Sequence, residues 1–299
     1  MEIIPYEPEL APRVAVAYNS LVAGLPHCYP TTPERVAAVL DGSERPGHDN
    51  GRLHGEQAWV GTAGGEVLGF AQAAVEDPAE AGHHPRGVLR FLAYEPGQRA
   101  LGQDLLDCVS GYFADREMRE VVAFHQDHIW PCYHLTHAFL SDRLTHVHAL
   151  LEYNGFQRSA GEVFLDWPEF APPVPPATPL EFETRCELQS GATARPGFGL
   201  LALRGEELLA QCWSASCGDR APGSAAEDWC LTTWLQVEEP YRGSYLGANL
   251  LALALGEMRE LGYRHAAIST TLTNYRAQLF YSNLGYRTSD WTYALTRTT

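Results

Sequence analysis

No lysine occurs in the 299-residue chain, so every basic side chain that is permanently charged is an arginine. A Walker-type phosphate loop ends its glycine run on lysine, and that class of nucleotide site is therefore excluded. Positive charge is also scarce. The formal net charge of −16 argues against a basic face for nucleic acid or anionic lipid. No apolar run approaches the ~20 residues that cross a bilayer as a helix. The opening Met-Glu-Ile-Ile-Pro-Tyr-Glu-Pro-Glu is acidic and lacks a basic n-region, so no secretion signal is expected and the cytoplasm is the expected compartment. Paired cysteine motifs are missing too. The seven cysteines are odd in number and none forms Cys-x-x-Cys, which leaves buried free thiols rather than a disulfide framework or a zinc knuckle. Nor is there a dinucleotide fingerprint.

Proline and glycine are present, and they punctuate the chain. Trp167-Pro-Glu-Phe-Ala-Pro-Pro-Val-Pro-Pro-Ala-Thr-Pro179 reads as a semi-rigid linker between a domain at 1–166 and one at 180–299. Each side carries the same order of signals. The second has a glycine-turn hairpin from Gly197, a β-prone strand Trp229–Val237, and a turn with Gly243 and Gly247. A helix with Leu250, Leu253, Met258 and Leu261 follows, then a strand Ala266–Thr270 and a helix Asn274–Leu284. A last strand is expected near Trp291–Leu295. The first repeats this through Gln57, Val88–Tyr94, Gly97–Gly102, Glu120–Phe124 and Gly155-Phe156. The expected class is mixed α/β, with two tandem copies of one unit. The first copy has helical stretches at Leu10–Val22 and Thr32–Leu40 before its hairpin. The second has only about fifteen residues in that place, too few for two helices of average length.

The turn Glu239-Pro-Tyr-Arg-Gly-Ser-Tyr-Leu-Gly-Ala-Asn-Leu-Leu251 aims backbone N–H groups and a helix dipole at one point, an arrangement that binds phosphate, although glycine also serves sterics alone in such turns. The second copy, over Gly197–Leu295, resembles the GCN5-related N-acetyltransferase (GNAT) superfamily. The resemblance rests on two signatures in order: Arg242-Gly-Ser-Tyr-Leu-Gly247, and Asn274 with Tyr281 before Gly285-Tyr286. It departs at Tyr245, where the family usually has glycine. It implies acetyl-CoA held by Leu235 and Val237 of the strand, by Arg242, Gly243, Ser244, Tyr245, Leu246, Gly247 and Ala248 of the turn, and by Asn274 and Tyr281.

Tyr281 takes the family's general-acid position, against a simple core packing role beside Phe280. Asn274 is both a cofactor candidate and a helix N-cap. The strand lacks the carboxylate that often serves as base, which leaves Glu227 and Asp228 at its start, or a water chain. The first copy has Gly97, Ala100, Leu144 and Leu151 at the signature positions and reads as degenerate, a layout similar to fused tandem members of the superfamily. Its His125, His128, His134, His137, His146 and His148 are read as helix-surface or acceptor-pocket residues. The spacing His134-x-x-His137 permits a metal on one helix face, yet no cysteine or carboxylate pattern completes a site, and no metal is expected. The implied activity is direct acetyl transfer to a small-molecule amine by a monomer or homodimer. An acyl-CoA-sensing pseudoenzyme and a structural dimerisation protein are the alternatives.

Overall fold

Short-range signals account for the first helices. Thr32 caps α2 (Pro33–Leu40) by accepting from the Arg35 N–H, and Pro33 occupies the first turn, where its missing N–H costs nothing. α1 (Ala11–Val22) precedes it, after the short strand β1 (Glu2–Pro5). Gly64 and Gly65, both at positive φ, make the two-residue turn between β2 (Leu53–Ala63) and β3 (Glu66–Glu76). Then come β4 (Arg86–Tyr94), α3 (Arg99–Ala114), β5 (Glu120–Ala123), β6 (Leu140–Ser141), α4 (Thr145–Tyr153) and β7 (Gln157–Trp167). Beyond the proline-rich stretch lie β8 (Glu183–Gln189), β9 (Gly197–Arg204), β10 (Glu207–Ser216), β11 (Trp229–Val237), α5 (Leu246–Glu260), β12 (His265–Thr271), α6 (Tyr275–Leu284) and β13 (Arg287–Thr298). The computed structural model describes residues 1–45, 51–78 and 84–298.

Two units result, and their limits differ from those expected. One comprises Met1–Glu162 with Asp290–Thr299, the other Val163–Ser289. The first unit's sheet runs β1-β2-β3-β4-β5-β13, with β6 also on β13. The end of the chain completes it: Leu295 to Thr298 pair antiparallel with Ala123 to Glu120. β13 had been expected in the second copy, but its pairing partner is chosen across the whole sequence and not by its neighbours. The second unit's sheet runs β12-β11-β10-β9-β8. The proline-rich segment falls inside this unit. Phe170 is buried in its core, and the Pro176 carbonyl accepts from Asn249 of α5 at 2.8 Å.

The class is mixed α/β, as expected. In the first unit α1 lies on β3 and β4, and Tyr18, Phe70, Phe91 and Trp130 pack together at centroid distances of 4.8 to 6.4 Å. In the second, Leu250, Leu251 and Leu255 of α5 join Phe198, Leu200, Cys212 and Cys230. Ahead of its hairpin, where the first unit has α1 and α2, the second has only the exposed strand β8.

Candidate functional site

The turn between β11 and α5 has an unusual backbone. Gly243 stands at φ +80°, and Tyr245, the residue before the helix, at φ +63° and ψ 3°. That left-handed conformation is why glycine suits position 245, and tyrosine there carries a backbone strain of about 1 kcal/mol or more. Its side chain points out and is 68 % exposed. Gly247 answers a different demand: a Cβ there would come within 3.2 Å of Val237 Cγ2, so its absence lets helix and strand approach. The first backbone bond of α5 runs from the Asn249 N–H to the Tyr245 carbonyl. The N–H groups of Leu246, Gly247 and Ala248 therefore have no helical partner and project at the turn. Ser244 Oγ donates to the Tyr241 carbonyl at 2.5 Å, and Arg242 Nε to the Val237 carbonyl at 3.2 Å. Tyr241 is tied by its hydroxyl to Glu207 and Arg204 of the β9–β10 hairpin, which anchors the turn.

Beside the turn the sheet opens. β11 and β12 pair in parallel only from Trp229↔His265 to Thr232↔Ile268. At the next residue, Thr233, β11 carries a bulge: Trp213 of β10 faces Trp234 while Ser214 faces Thr232. A bulge bends its strand and sharpens the twist, so Thr233 to Val237 turn from β12 and leave a gap between parallel strands. Leu235 and Val237 border this gap on the α5 face, packed against the second core. Nothing at the sequence level marked this bulge except a parity shift: Cys230 and Leu235 share a face although their numbers differ by an odd step.

α6 follows β12 in the chain, and Ala277, Phe280, Tyr281 and Leu284 of α6 belong to the same core as Leu235 and Val237. Asn274 caps it, its Oδ1 accepting from the Ala277 N–H at 3.3 Å. Tyr281 turns inward and is nearly buried, with Phe280 at 5.3 Å and Tyr286 at 6.2 Å between ring centroids. Asp228 does not join this group. It sits at the opposite end of β11, bonded to Arg195 at 2.7 Å, while its own carbonyl accepts from the Arg264 N–H. Neighbouring Glu227 accepts from the Gly223 N–H. Cys212, Cys217 and Cys230 are buried, and burial pushes their thiols up, that of Cys212 to about 12. A thiolate nucleophile is unavailable from them near neutral pH.

The first unit's counterpart is built differently, around a cavity of about 340 Å³ lined by Tyr94, Gly97, Arg99, His146, Ala149, Leu150 and Tyr153. Leu144 precedes α4 with φ −84° and ψ 53°, close to Asn274's φ −85° and ψ 63°, but provides no cap. Tyr94 ends β4, and its ring fills the space that a Cβ on Gly102 would need, within 2.6 Å. Its hydroxyl donates to the His146 carbonyl at 2.9 Å, and His146 Nε2 bonds back to the Tyr94 carbonyl at 2.9 Å. The end of β4 and the start of α4 are thus held together by two hydrogen bonds. The histidine segment also departs from expectation. His134 and His137 lie in a loop at φ +55° and +73°, not on one helix face. His134 pairs with buried Asp290 at 3.2 Å. Burial alone would raise the Asp290 carboxyl, but His134 holds it below the usual range.

Residues 162–286 match the model of the Acetyltransferase (GNAT) family. The second unit is a GNAT domain. No curated protein matches the sequence. Among solved structures, the chain is similar to a tandem GNAT protein from the clavulanic acid biosynthesis pathway (TM-score 0.69, 17% identity, 99% of this chain and 98% of that one). It is also similar to a GCN5-related N-acetyltransferase from Sphaerobacter thermophilus (TM-score 0.61, 14% identity, 99% and 95%). A third is the glucosamine N-acetyltransferase region of a fungal multi-domain β-N-acetylglucosaminidase (TM-score 0.63, 12% identity, 99% of this chain and 38% of that one). At these identities the likeness is one of fold, and the whole chain has the tandem GNAT fold. The family match and the second compact unit coincide to within a few residues at each end. The signatures read from the sequence lie inside the GNAT domain, around its phosphate-type turn and strand gap.

Proposed function

We propose that the GNAT domain binds acetyl-CoA and that the acetyl group passes directly to a small-molecule amine. The observation that carries this reading is the juxtaposition of a glycine turn with free N–H groups and a gap between parallel strands. The residues present fit the cofactor. The free N–H groups at the N-terminus of α5 suit a diphosphate, and the opening bordered by Leu235 and Val237 suits an extended thiol arm. Bound there, acetyl-CoA supplies a thioester-activated acetyl group.

The chain's own residues have three tasks. Backbone N–H groups from Gly243 to Ala248 bind phosphate oxygens, with Arg242 close by. Asn274 caps α6 through its oxygen and leaves its NH₂ for a further hydrogen bond. Tyr281 holds a proton at Oη for the leaving thiol. Asp228, engaged with Arg195, is not assigned as base; the amine gives its proton to solvent. Direct transfer is favoured over a covalent enzyme intermediate because the domain's buried thiols resist ionisation. A second reading, an acyl-CoA sensor without turnover, draws support from the lack of any carboxylate along Trp229–Val237.

The first unit is assigned no coenzyme A, given Gly97, Ala100, Leu144 and Leu151 at its signature positions and the uncapped start of α4. Titration calorimetry is therefore expected to give one coenzyme A per chain, and Gly247→Glu to abolish binding. Two equivalent sites, or none at millimolar ligand, refute the assignment. Thiol release across an amine panel then separates enzyme from sensor.

A further inference from the structure

The face of the second unit's sheet that α5 leaves uncovered is not an ordinary solvated surface. Cys212 and Leu235 are register partners on the α5 side, so Gln211, Trp213, Trp234 and Gln236 stand on the other. Trp213 faces Trp234, and Gln211 faces Gln236. On its other side Trp213 pairs with Gly199 of β9, where a Cβ would come within 2.3 Å of the indole. The missing side chain lets the Trp213 ring lie flat over the neighbouring strand.

A chain of hydrogen bonds sets the orientation of both indoles. Trp213 Nε1 donates to Gln211 Oε1 at 2.8 Å, and Gln211 Nε2 to Gln236 Oε1 at 3.3 Å. Trp234 Nε1 donates to the same Gln236 oxygen at 2.9 Å, and Gln236 Nε2 to Glu238 Oε1 at 2.8 Å. An ionised carboxylate only accepts, so Glu238 dictates which end of Gln236 faces it, and the rest of the chain follows. With both indole N–H groups occupied, the rings have only their π faces to offer, and Trp234 is 56 % exposed. Indole is the best of the aromatic faces for a cation. The surrounding charge agrees. Glu183 and Glu187 of β8 share this face with Glu238, against Arg185, which Glu187 pairs at 3.1 Å. The shelf also borders the strand gap, since Trp234 directly follows the bulge at Thr233.

We propose that this shelf is the acceptor site and that it selects a protonated amine, its cation seated on an indole face. The proposal rests on the acyl-transfer reading of the same domain. On transfer the ammonium first loses a proton to solvent; the carbon–nitrogen bond then forms as the carbon–sulfur bond breaks, the leaving sulfur takes up one proton and the nitrogen gives up its second, so that one proton in all is released.

The test is calorimetric and needs no turnover. Phenethylamine, cationic at pH 7, is titrated into the full-length protein beside neutral phenethyl alcohol, with coenzyme A titrated separately. The amine is expected to bind about tenfold more tightly than the alcohol, and Trp234→Ala to remove that advantage. Gly199→Val, which forces the Trp213 ring off the strand, is expected to weaken the amine likewise. Both variants should keep wild-type affinity for coenzyme A. Equal binding of the two probes, no amine binding by the wild type at tens of millimolar, or wild-type amine affinity in Trp234→Ala overturns the proposal. Loss of amine binding in the variants with no coenzyme A binding in the wild type leaves the shelf as an amine site and refutes the acyl-transfer reading instead.

Discussion

Tyr245 offers a way to separate backbone from side chain at the phosphate-type turn. Tyr245→Ala removes an exposed ring but keeps a Cβ at φ +63°; Tyr245→Gly removes the ring and the strain together. Relief of the left-handed conformation is worth about 1–2 kcal/mol, and the extra flexibility of glycine in the unfolded chain costs about 0.5–1 kcal/mol. The glycine variant should therefore be more stable than the alanine variant by about 0.5–1 kcal/mol, measurable as a shift in urea midpoint at unchanged slope. If the diphosphate is held by backbone N–H groups, both variants should bind coenzyme A at least as tightly as the wild type, because neither removes a donor. A tenfold or greater loss of affinity in both would mean that the phenol ring itself carries the binding. The backbone N–H groups would then not be what holds the diphosphate.

Other outcomes follow from the same geometry. Tyr281→Phe should leave coenzyme A affinity nearly unchanged while turnover falls by roughly 10²–10⁴-fold; wild-type turnover would assign Tyr281 to packing with Phe280 and Tyr286. Truncation after Ser289 should unfold the first unit before the second, seen as a separate low-temperature transition in calorimetry, because Leu295 to Thr298 are the strand beside β5. Glu76 tests the first unit's buried charge. Burial alone would raise its carboxyl, but His128 and Arg86 outweigh this and hold it at about 2 against the ordinary 4.5. A folded-state value below the unfolded one means stability present above about pH 4.5 and lost as the pH falls through about 2. Glu76→Gln should thus cost up to about 3 kcal/mol at pH 7, a gap that narrows in acid; a constant gap from pH 7 to pH 3 would contradict the assignment.

Local chemistry alone determined much of this protein. The strand Trp229–Val237, the cap at Asn274, the helix ending at Leu284 and the glycine turn between β11 and α5 all follow from residues within a few positions of one another. Hydrophobic period, capping and φ preference are short-range properties, so they are legible in a single sequence. The two signatures and their spacing pointed to the family for the same reason. What only the tertiary structure decided depends on partners far apart in the chain. β13 follows α6 in sequence yet pairs with β5, because strand pairing is settled by which edge is free. The bulge at Thr233 exists only relative to β10, and the gap only relative to β12. The pairing of Asp228, a candidate base, with the distant Arg195 was equally illegible. The histidine spacing suggested one helix face, but the backbone there is a loop, with His134 turned to Asp290, 156 residues away. In each case a side chain's chemical role was set by the residue that reached it from elsewhere in the fold.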